Sequence, residues 1–326
     1  MITNNSSKNQ INNSQEFNNR CYGIIIIRSK NSNFNADFSG FPRRLPDTNG
    51  TIYSTDKALK YAIRRYWVDK GEKVFVWKEF DDDLKPKSIK EKLGTNDKKN
   101  KREEILKQLL DYLDVRCFGV TYAGDENISI CGPVQITYGI NRFKDNIVYT
   151  NQILSPFNPQ QKEQSTIGSE VKTLESHYVF DFVINPKNLY DHYQEIIKKE
   201  KNDHIKELFK LTSNDINLLK EAFCKSVTNL NSTSKIGSEN ELTLFITLVN
   251  ESSLQLPTLK DLVNIIKDND IYLIDLTKIF NYLEKYLNKD IEKIEIFYDE
   301  KLVNVKGIYQ SGDNNNKIIQ KNLNDV

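Results

Sequence analysis

The sequence predicts an α+β fold, and three observations carry the prediction. The β-branched run Tyr22-Gly23-Ile24-Ile25-Ile26-Ile27-Arg28 has the length and composition of a strand buried on both faces. After one loop, Ser54 or Thr55 can cap a two-faced helix reaching about Asp69, with Asp56 in its first turn. Further short β-rich runs then alternate with helical segments, the pattern of a sheet with helices packed against it.

In order along the chain, residues 1–20 hold seven Asn, three Ser and two Gln and read as a polar tail with nothing to bury. The first strand follows, then Ser29 to Gly50, a loop rich in Asn, Asp, Pro and Gly with Arg43 and Arg44 inside it. On the helix, Ala58, Leu59, Ala62, Ile63, Tyr66 and Trp67 share one side, and Lys57, Lys60 and Arg64 share another. Lys73 to Phe80 is rich in Val, Phe and Trp and reads as a second strand, and Asp81 to Arg102 as a solvated excursion. A helix near Glu103 to Leu113 precedes strands at Val115 to Tyr122 and Ile128 to Tyr138, joined by a hairpin turn. Gly139 to Glu175 reads as a protruding insertion before a strand at His177 to Ile184, which Asn185-Pro186 stops. Helical character from about Tyr190 to Leu230 breaks near Thr212 to Asp215, and a strand follows at Leu242 to Val249. Helices near Leu259 to Lys267 and Asp275 to Leu287, a strand at Ile291 to Tyr298 and a flexible polar tail over 311–326 complete the chain.

The 326 residues carry 46 Lys+Arg against 45 Asp+Glu, so a uniformly basic nucleic-acid binder is excluded and any anion site is a local patch. Four scattered cysteines without a C-x-x-C pair, and the absence of a long apolar run or signal pattern, imply a reduced cytoplasmic setting and no membrane. The three histidines lack metal-ligand spacing, no G-x-G or P-loop occurs, and neither Cys117 nor Cys131 carries a nucleophile signature. No catalytic residue, metal site or cofactor is expected.

What remains is basic and conformational. Lys57, Lys60 and Arg64 read either as an ordinary solvated helix face or as a phosphate-binding stripe. With no acid between Lys57 and Val68, the stripe reads as unneutralised, which favours phosphate. The glycine-punctuated Cys131-Gly132-Pro133-Val134-Gln135 adds a conformational motif.

Several motifs in register resemble a known family. The Tyr22 to Arg28 strand, the following loop and Thr55-Asp56-Lys57-Ala58-Leu59-Lys60-Tyr61-Ala62-Ile63-Arg64-Arg65-Tyr66 are similar to the backbone subunit of type I CRISPR surveillance complexes (Cascade), specifically subtype I-B. Asp114-Val115-Arg116-Cys117-Phe118-Gly119, Gly132-Pro133-Val134-Gln135, Thr166-Ile167-Gly168 and Ser234-Lys235-Ile236-Gly237 resemble its later blocks. The resemblance covers Cys21 to Val249, with a looser continuation to Tyr298.

The resemblance implies a modified RRM-like (ferredoxin-like) palm over 21–138 and 176–310 with helical insertions, and a thumb over 139–175. It implies that copies polymerise head-to-tail along one CRISPR RNA and present it for pairing with target DNA. A 5′-handle cap subunit, a large subunit and a processing endonuclease are the further implied partners. A protein that accepts any guide sequence should grip phosphate and sugar and leave the bases free. Lys60 and Arg64 match the family's RNA-holding helix positions; Lys57 and Arg43 are assigned from the same face and the adjacent loop. The basic residue that often follows the thumb-base glycine is here Ser169, leaving Lys172 and His177 as substitutes. An Arg ahead of the Ser-Lys pair is here Thr233, leaving Lys235. Gln135 binds either RNA or its own loop, and Gly132, Pro133, Gly168 and Gly237 set backbone shape, Gly132 through a positive φ. Two alternatives stand beside this reading: a metal-dependent RNase using Asp37, and a generic single-stranded RNA-binding protein.

Overall fold

The computed structural model describes residues 15–94, 102–123, 127–154, 166–189, 210–269, 271–309 and 317–326. It begins with β1 (Cys21–Ser32), β2 (Tyr53–Ser54) and α1 (Asp56–Asp69). A helical unit and a hairpin follow: α2 (Ile89–Lys92), α3 (Arg102–Leu110), α4 (Leu113–Phe118), β3 (Gly119–Ala123) and β4 (Asn127–Cys131). Short strands β5 (Val134–Ile136) and β6 (Gly139–Asn141) lead to β7 (Val148–Leu154) and the 19-residue β8 (Thr166–Ile184). Next come α5 (Ser213–Lys225), β9 (Ser238–Leu248), β10 (Asn264–Asp268), β11 (Ile271–Asp275) and α6 (Thr277–Leu283). The last strands are β12 (Ile291–Tyr298), β13 (Val303–Lys306) and β14 (Ile318–Lys321).

The main sheet runs β14-β12-β9-β1-β8-β6-β2, and β5 and β7 also pair with β8. Strand β1 sits at its centre, antiparallel to both β8 and β9. Because successive side chains point to opposite faces, β1 feeds two cores. Cys21, Ile25 and Ile27 pack with Leu59, Ile63 and Trp67 of α1 and with Leu219 and Phe223 of α5. Tyr22, Ile24 and Ile26 pack on the other face with Phe280 of α6 and with the small sheet β10-β11-β13. Ile24 to Ile27 are fully buried, each worth roughly 1.5–3 kcal/mol of hydrophobic stabilisation. The β-branched run is therefore covered on both sides, as its composition implied. A third, smaller core joins α3 and α4 to the β3-β4 hairpin through Leu109, Val115, Tyr122 and Ile130.

Several expectations fail for identifiable reasons. Lys73 to Phe80 is not a strand: the amides of Phe75 and Val76 donate to the buried Asp114 carboxylate at 2.7 and 3.1 Å, so no sheet ladder claims them. Residues 115–118 belong to helix α4, and the strand starts only at Gly119. The expected strand over 128–138 breaks at Gly132-Pro133 into β4 and β5, which join different sheets. Leu259 to Lys267 forms a single 3₁₀ turn and then β10, because residues 264–268 find a partner in β11. Residues 318–321, expected in a flexible tail, add β14 parallel to β12. The strand read from His177 begins at Thr166, and its first part pairs with β7 over Val148 to Leu154 as a β-ribbon continuous with the main sheet. Phe17 and Ser213 tie the 15–20 segment to the start of α5 through backbone hydrogen bonds. The calls on residues 1–14, on the hairpin turn at 124–126 and on the helix over 190–209 lie outside the described residues.

Candidate nucleic-acid interface

Helix α1 starts where Thr55 leaves the extended conformation, and its first contact is with the preceding loop rather than with itself. The Thr55 amide and hydroxyl both donate to Asn35 Oδ1, at 2.8 and 2.9 Å, so the hydroxyl does not cap the helix. This ties the N-terminal end of α1 to the loop that carries Arg43.

The three cations of the inner face of α1 are not unneutralised, which corrects the reading from sequence. Lys57 and Lys60 reach the two oxygens of Asp56 at 2.8 and 3.2 Å. Arg64 Nε donates to Asp114 Oδ2 at 2.7 Å, and Asp114 is fully buried. Lys60 and Arg64 also lie over the Phe118 ring, 5.2 and 5.4 Å from its centroid, and Phe118 in turn stacks on Trp67. Burial works to raise the Asp56 carboxyl, but the Lys57 hydrogen bond and the Lys60 charge outweigh it and hold the group below its ordinary value. Burial lowers the Lys60 ammonium, against the opposing pull of Asp56. Lys57 alone is well exposed, at 76%, and its ammonium lies 5.9 Å from the Tyr138 ring.

Tyr138 stacks on Tyr53 of β2, so the 131–138 segment borders the same end of α1. That segment is shaped by two glycines pressed together. A Cβ on Gly132 would lie 2.2–2.5 Å from backbone atoms of Cys117, Phe118 and Gly119, and one on Gly119 would lie 2.1 Å from Ile130 O. The positive φ belongs to Gly119, at 76°, whereas Gly132 is needed for this close approach. The Pro133 carbonyl accepts the Asn185 amide at 2.9 Å. Gln135 donates to Gly132 O at 2.8 Å, closing its own loop.

Lys235 approaches from the other side of the Arg43 loop. It donates to the carbonyls of Asn33 and Phe34 and lies over the Phe34 ring. Burial, with no carboxylate partner among the described residues, pushes its ammonium down to about 8. Gly237 sits beside it at φ 93°, where a Cβ would lie 2.4 Å from Lys30 O. Arg43 is half-buried, and its Nε has no partner among the described residues.

Two further expected contacts lie on β8. His177 is fully buried, its Nδ1 2.6 Å from Glu241 Oε2 and its ring against Tyr272 and Phe143, so it offers no atom to an external ligand. This corrects its assignment as an RNA contact. Lys172 lies on the ribbon, paired with Glu170 at 3.1 Å, and Gly168 is on the same strand with open space where a Cβ would point.

Asp37 is occupied with turn geometry: its Oδ1 accepts the amides of Ser39 and Phe41 at 2.8 and 3.0 Å. Among the described residues no group of three or more His, Cys, Asp or Glu is arranged to hold a metal ion. Burial pushes the Cys21 and Cys224 thiols up to about 12 and raises Cys117 as well, the opposite of nucleophile activation. No helix among the described residues is long and apolar enough to cross a membrane.

The residues whose part in organising this surface the sequence did not reveal are the acids Asp56 and Asp114 and the rings Phe118 and Tyr138. Asp56, four residues before Lys60, carried a readable i,i+4 signal. Asp114, fifty positions from Arg64, carried none.

The class of protein this architecture defines has a wide, mostly antiparallel sheet with α1 and α5 on one face, a second small sheet on the other, and a long β-ribbon. A chain from a CRISPR RNA-guided surveillance complex in a pre-nicking state shares it with TM-score 0.51 at 12% identity, covering 89% of this chain and 96% of that one. A chain from another CRISPR RNA-guided surveillance complex aligns at TM-score 0.44 and 12% identity over 88% and 95% of the two chains. A search of curated proteins finds no match. The family model for CRISPR-associated protein Cas7 matches residues 19–302, and the chain belongs to that family.

Proposed function

We propose that this chain is a CRISPR RNA-binding backbone subunit of a type I-B Cascade surveillance complex, acting in antiviral defence. Copies polymerise head-to-tail along the guide, hold its phosphates without regard to sequence, and present it for pairing with target DNA. The other Cascade subunits are its partners: a 5′-handle cap subunit, a large subunit and a processing endonuclease. The reading assigns it no catalytic residue and no cofactor. The observation that carries it is the family match over residues 19–302.

Within this reading, β8-β1-β9 with α1 and α5 is the RRM-like palm, and the β7-β8 ribbon belongs to the thumb. Ribbon residues Ile153, Leu154 and Leu174 are exposed apolar side chains suited to a neighbouring surface. The proposed RNA contacts are Arg43, Lys57, Lys60, Arg64, Lys172 and Lys235.

The test is salt dependence, because each neutralised phosphate on a single strand contributes a slope of about −0.7 in log affinity against log salt. Replacing Lys57 and Lys60 together by Ala should make that slope shallower by about 1.4 and weaken all RNA sequences alike. An unchanged slope would return this face to an ordinary solvated surface. Native mass spectrometry of the protein co-purified with RNA checks the assembly, for which a ladder of copies on one RNA is expected.

A further inference from the structure

The opposite flank of α1 carries a feature outside the proposed guide contacts. A groove of about 700 Å³ lies between α1 and the segment 75–92. Four rings line it: Tyr61, Phe75, Trp77 and Phe80. Tyr61 and Phe80 are each about half exposed, at 51% and 53%, which is unusual for rings that have a core available. Tyr61 already stacks on Trp77, with centroids 5.4 Å apart and planes at 29°.

The charges in the groove have one sign. Arg65, Lys78, Lys87 and Lys92 line it, and no acidic residue does. Arg65 is paired with Asp69, and Lys92 with Glu79. Lys78 and Lys87 are exposed, and the Lys87 charge reaches the Glu91 carboxylate, which accepts the Ser88 amide. The one hydroxyl of a serine in the lining, Ser88, accepts the Glu91 amide as the cap of α2. Few groups are therefore left to read base edges.

Half-open rings interleaved with the exposed Lys78 and Lys87, with few groups left for hydrogen-bonding readout, match one ligand chemistry. We propose that this groove binds unpaired nucleic acid, independently of the guide and of base sequence. A base laid on the open face of Tyr61 extends the Tyr61-Trp77 stack, and Lys78 and Lys87 take the adjoining phosphates. Duplex is excluded because its base faces are already stacked. An apolar protein segment would bury the same rings, but it would add no counter-charge to the exposed Lys78 and Lys87 unless it were acidic.

The sequence supplies its own reporter, since it holds two tryptophans. Trp67 is fully buried in the main core and serves as the constant background, while Trp77 lines the groove. The full-length protein is loaded with its guide RNA, so that the guide site is filled, and titrated with a thymidine oligonucleotide about 12 nucleotides long and unrelated to the guide. Saturable quenching of tryptophan emission is expected, reproduced by a uridine oligonucleotide and absent with duplex DNA of the same length. Tyr61→Ala and the Lys78→Glu, Lys87→Glu pair should each weaken binding by about tenfold or more, with the thermal melt confirming that the variants fold. Trp77→Phe should lose the optical signal yet still bind by fluorescence anisotropy.

Absence of saturable quenching, or variants that bind like the parent, would overturn the proposal. So would an acidic apolar peptide that quenches as well as the oligonucleotide and displaces it, which would make the groove a protein-docking site. If instead no guide co-purifies, the guide-binding reading fails on its own, and the oligonucleotide titration of the free protein still tests the groove.

Discussion

The two flanks of α1 face similar numbers of cations and hold them differently. On the inner flank, Lys57, Lys60 and Arg64 share the carboxylates of Asp56 and Asp114 and rest against Phe118. On the outer flank, Lys78 and Lys87 stand exposed beside half-open rings. Lys60 and Arg64 are held in fixed geometry at reduced net charge, while Lys78 and Lys87 stay exposed, beside Arg65 and Lys92 that are themselves ion-paired. A count of basic residues along the helix cannot separate these cases. The difference lies in which residues from elsewhere in the chain face each flank.

The largest test of that difference is to remove one acid from each flank. Asp114 is fully buried and accepts from Arg64, Phe75 and Val76, so Asp114→Ala leaves a partly buried guanidinium and two amides without their acceptor. A loss of about 3–5 kcal/mol is expected in urea unfolding. Asp69 pairs with the exposed Arg65 across one helical turn, and Asp69→Ala should cost within about 0.5 kcal/mol. Similar losses from the two variants would erase the distinction between the flanks.

The same contrast explains what the sequence made legible. Strand β1, helix α1 and strand β12 were readable because their cores follow local periodicity, and Ile24 to Ile27 need no distant information to be recognised as buried. Lys73 to Phe80 was misread because its Val, Phe and Trp favour a strand locally, while Asp114 supplies an acceptor from forty residues away. Leu259 to Lys267 failed similarly: its apolar spacing fits a helix, but β11 offers an edge to pair with. His177 looked like a basic substitute on a strand and is instead enclosed by Glu241, Tyr272 and Phe143, all distant in sequence. The cations of α1 were found; their neutralisation was not, since half of it comes from another element.

A second buried aspartate sharpens the comparison through pH. Asp181, like Asp114, accepts two backbone amides, those of Leu259 and Lys260 at 2.9 and 2.8 Å. Its nearest cation, Lys260, stands off at 3.9 Å, and Oδ2 has no hydrogen-bond partner among the described residues. Burial accordingly pushes its carboxyl up to about 6, the backbone amides and Lys260 only partly opposing the shift. The folded state therefore binds the proton more tightly than the unfolded chain. That stabilisation is full below the unfolded value near 3.9 and is lost as pH rises through about 6. Over this window Asp181 should remove about 3 kcal/mol. Asp181→Asn keeps an oxygen for the two amides and cannot ionise. Its stability should gain on the parent between pH 4 and 6, and then stay ahead by a constant margin, as followed by thermal unfolding. Parallel profiles for the two proteins would mean that Lys260 closes on Asp181 in solution and that the two buried aspartates are alike.

The smallest effect bears most directly on function. Asp56 lies 2.8 Å from Lys57 and 3.2 Å from Lys60, so it lowers the potential that these lysines present to a phosphate. If the inner flank grips RNA through charge alone, Asp56→Asn should tighten RNA binding at low salt by about fivefold, equivalent to about 1 kcal/mol. The gain should shrink as salt rises and screens the exposed Lys57. Loss of the carboxylate also removes a favourable charge from the first turn of α1, at a cost of about 0.3–1 kcal/mol in stability, which the thermal melt measures separately from affinity. A variant that folds and binds RNA more weakly would reverse the interpretation. Asp56 would then be a positioning group whose hold on Lys60, already confined against Phe118, matters more to the phosphate than the charge it cancels.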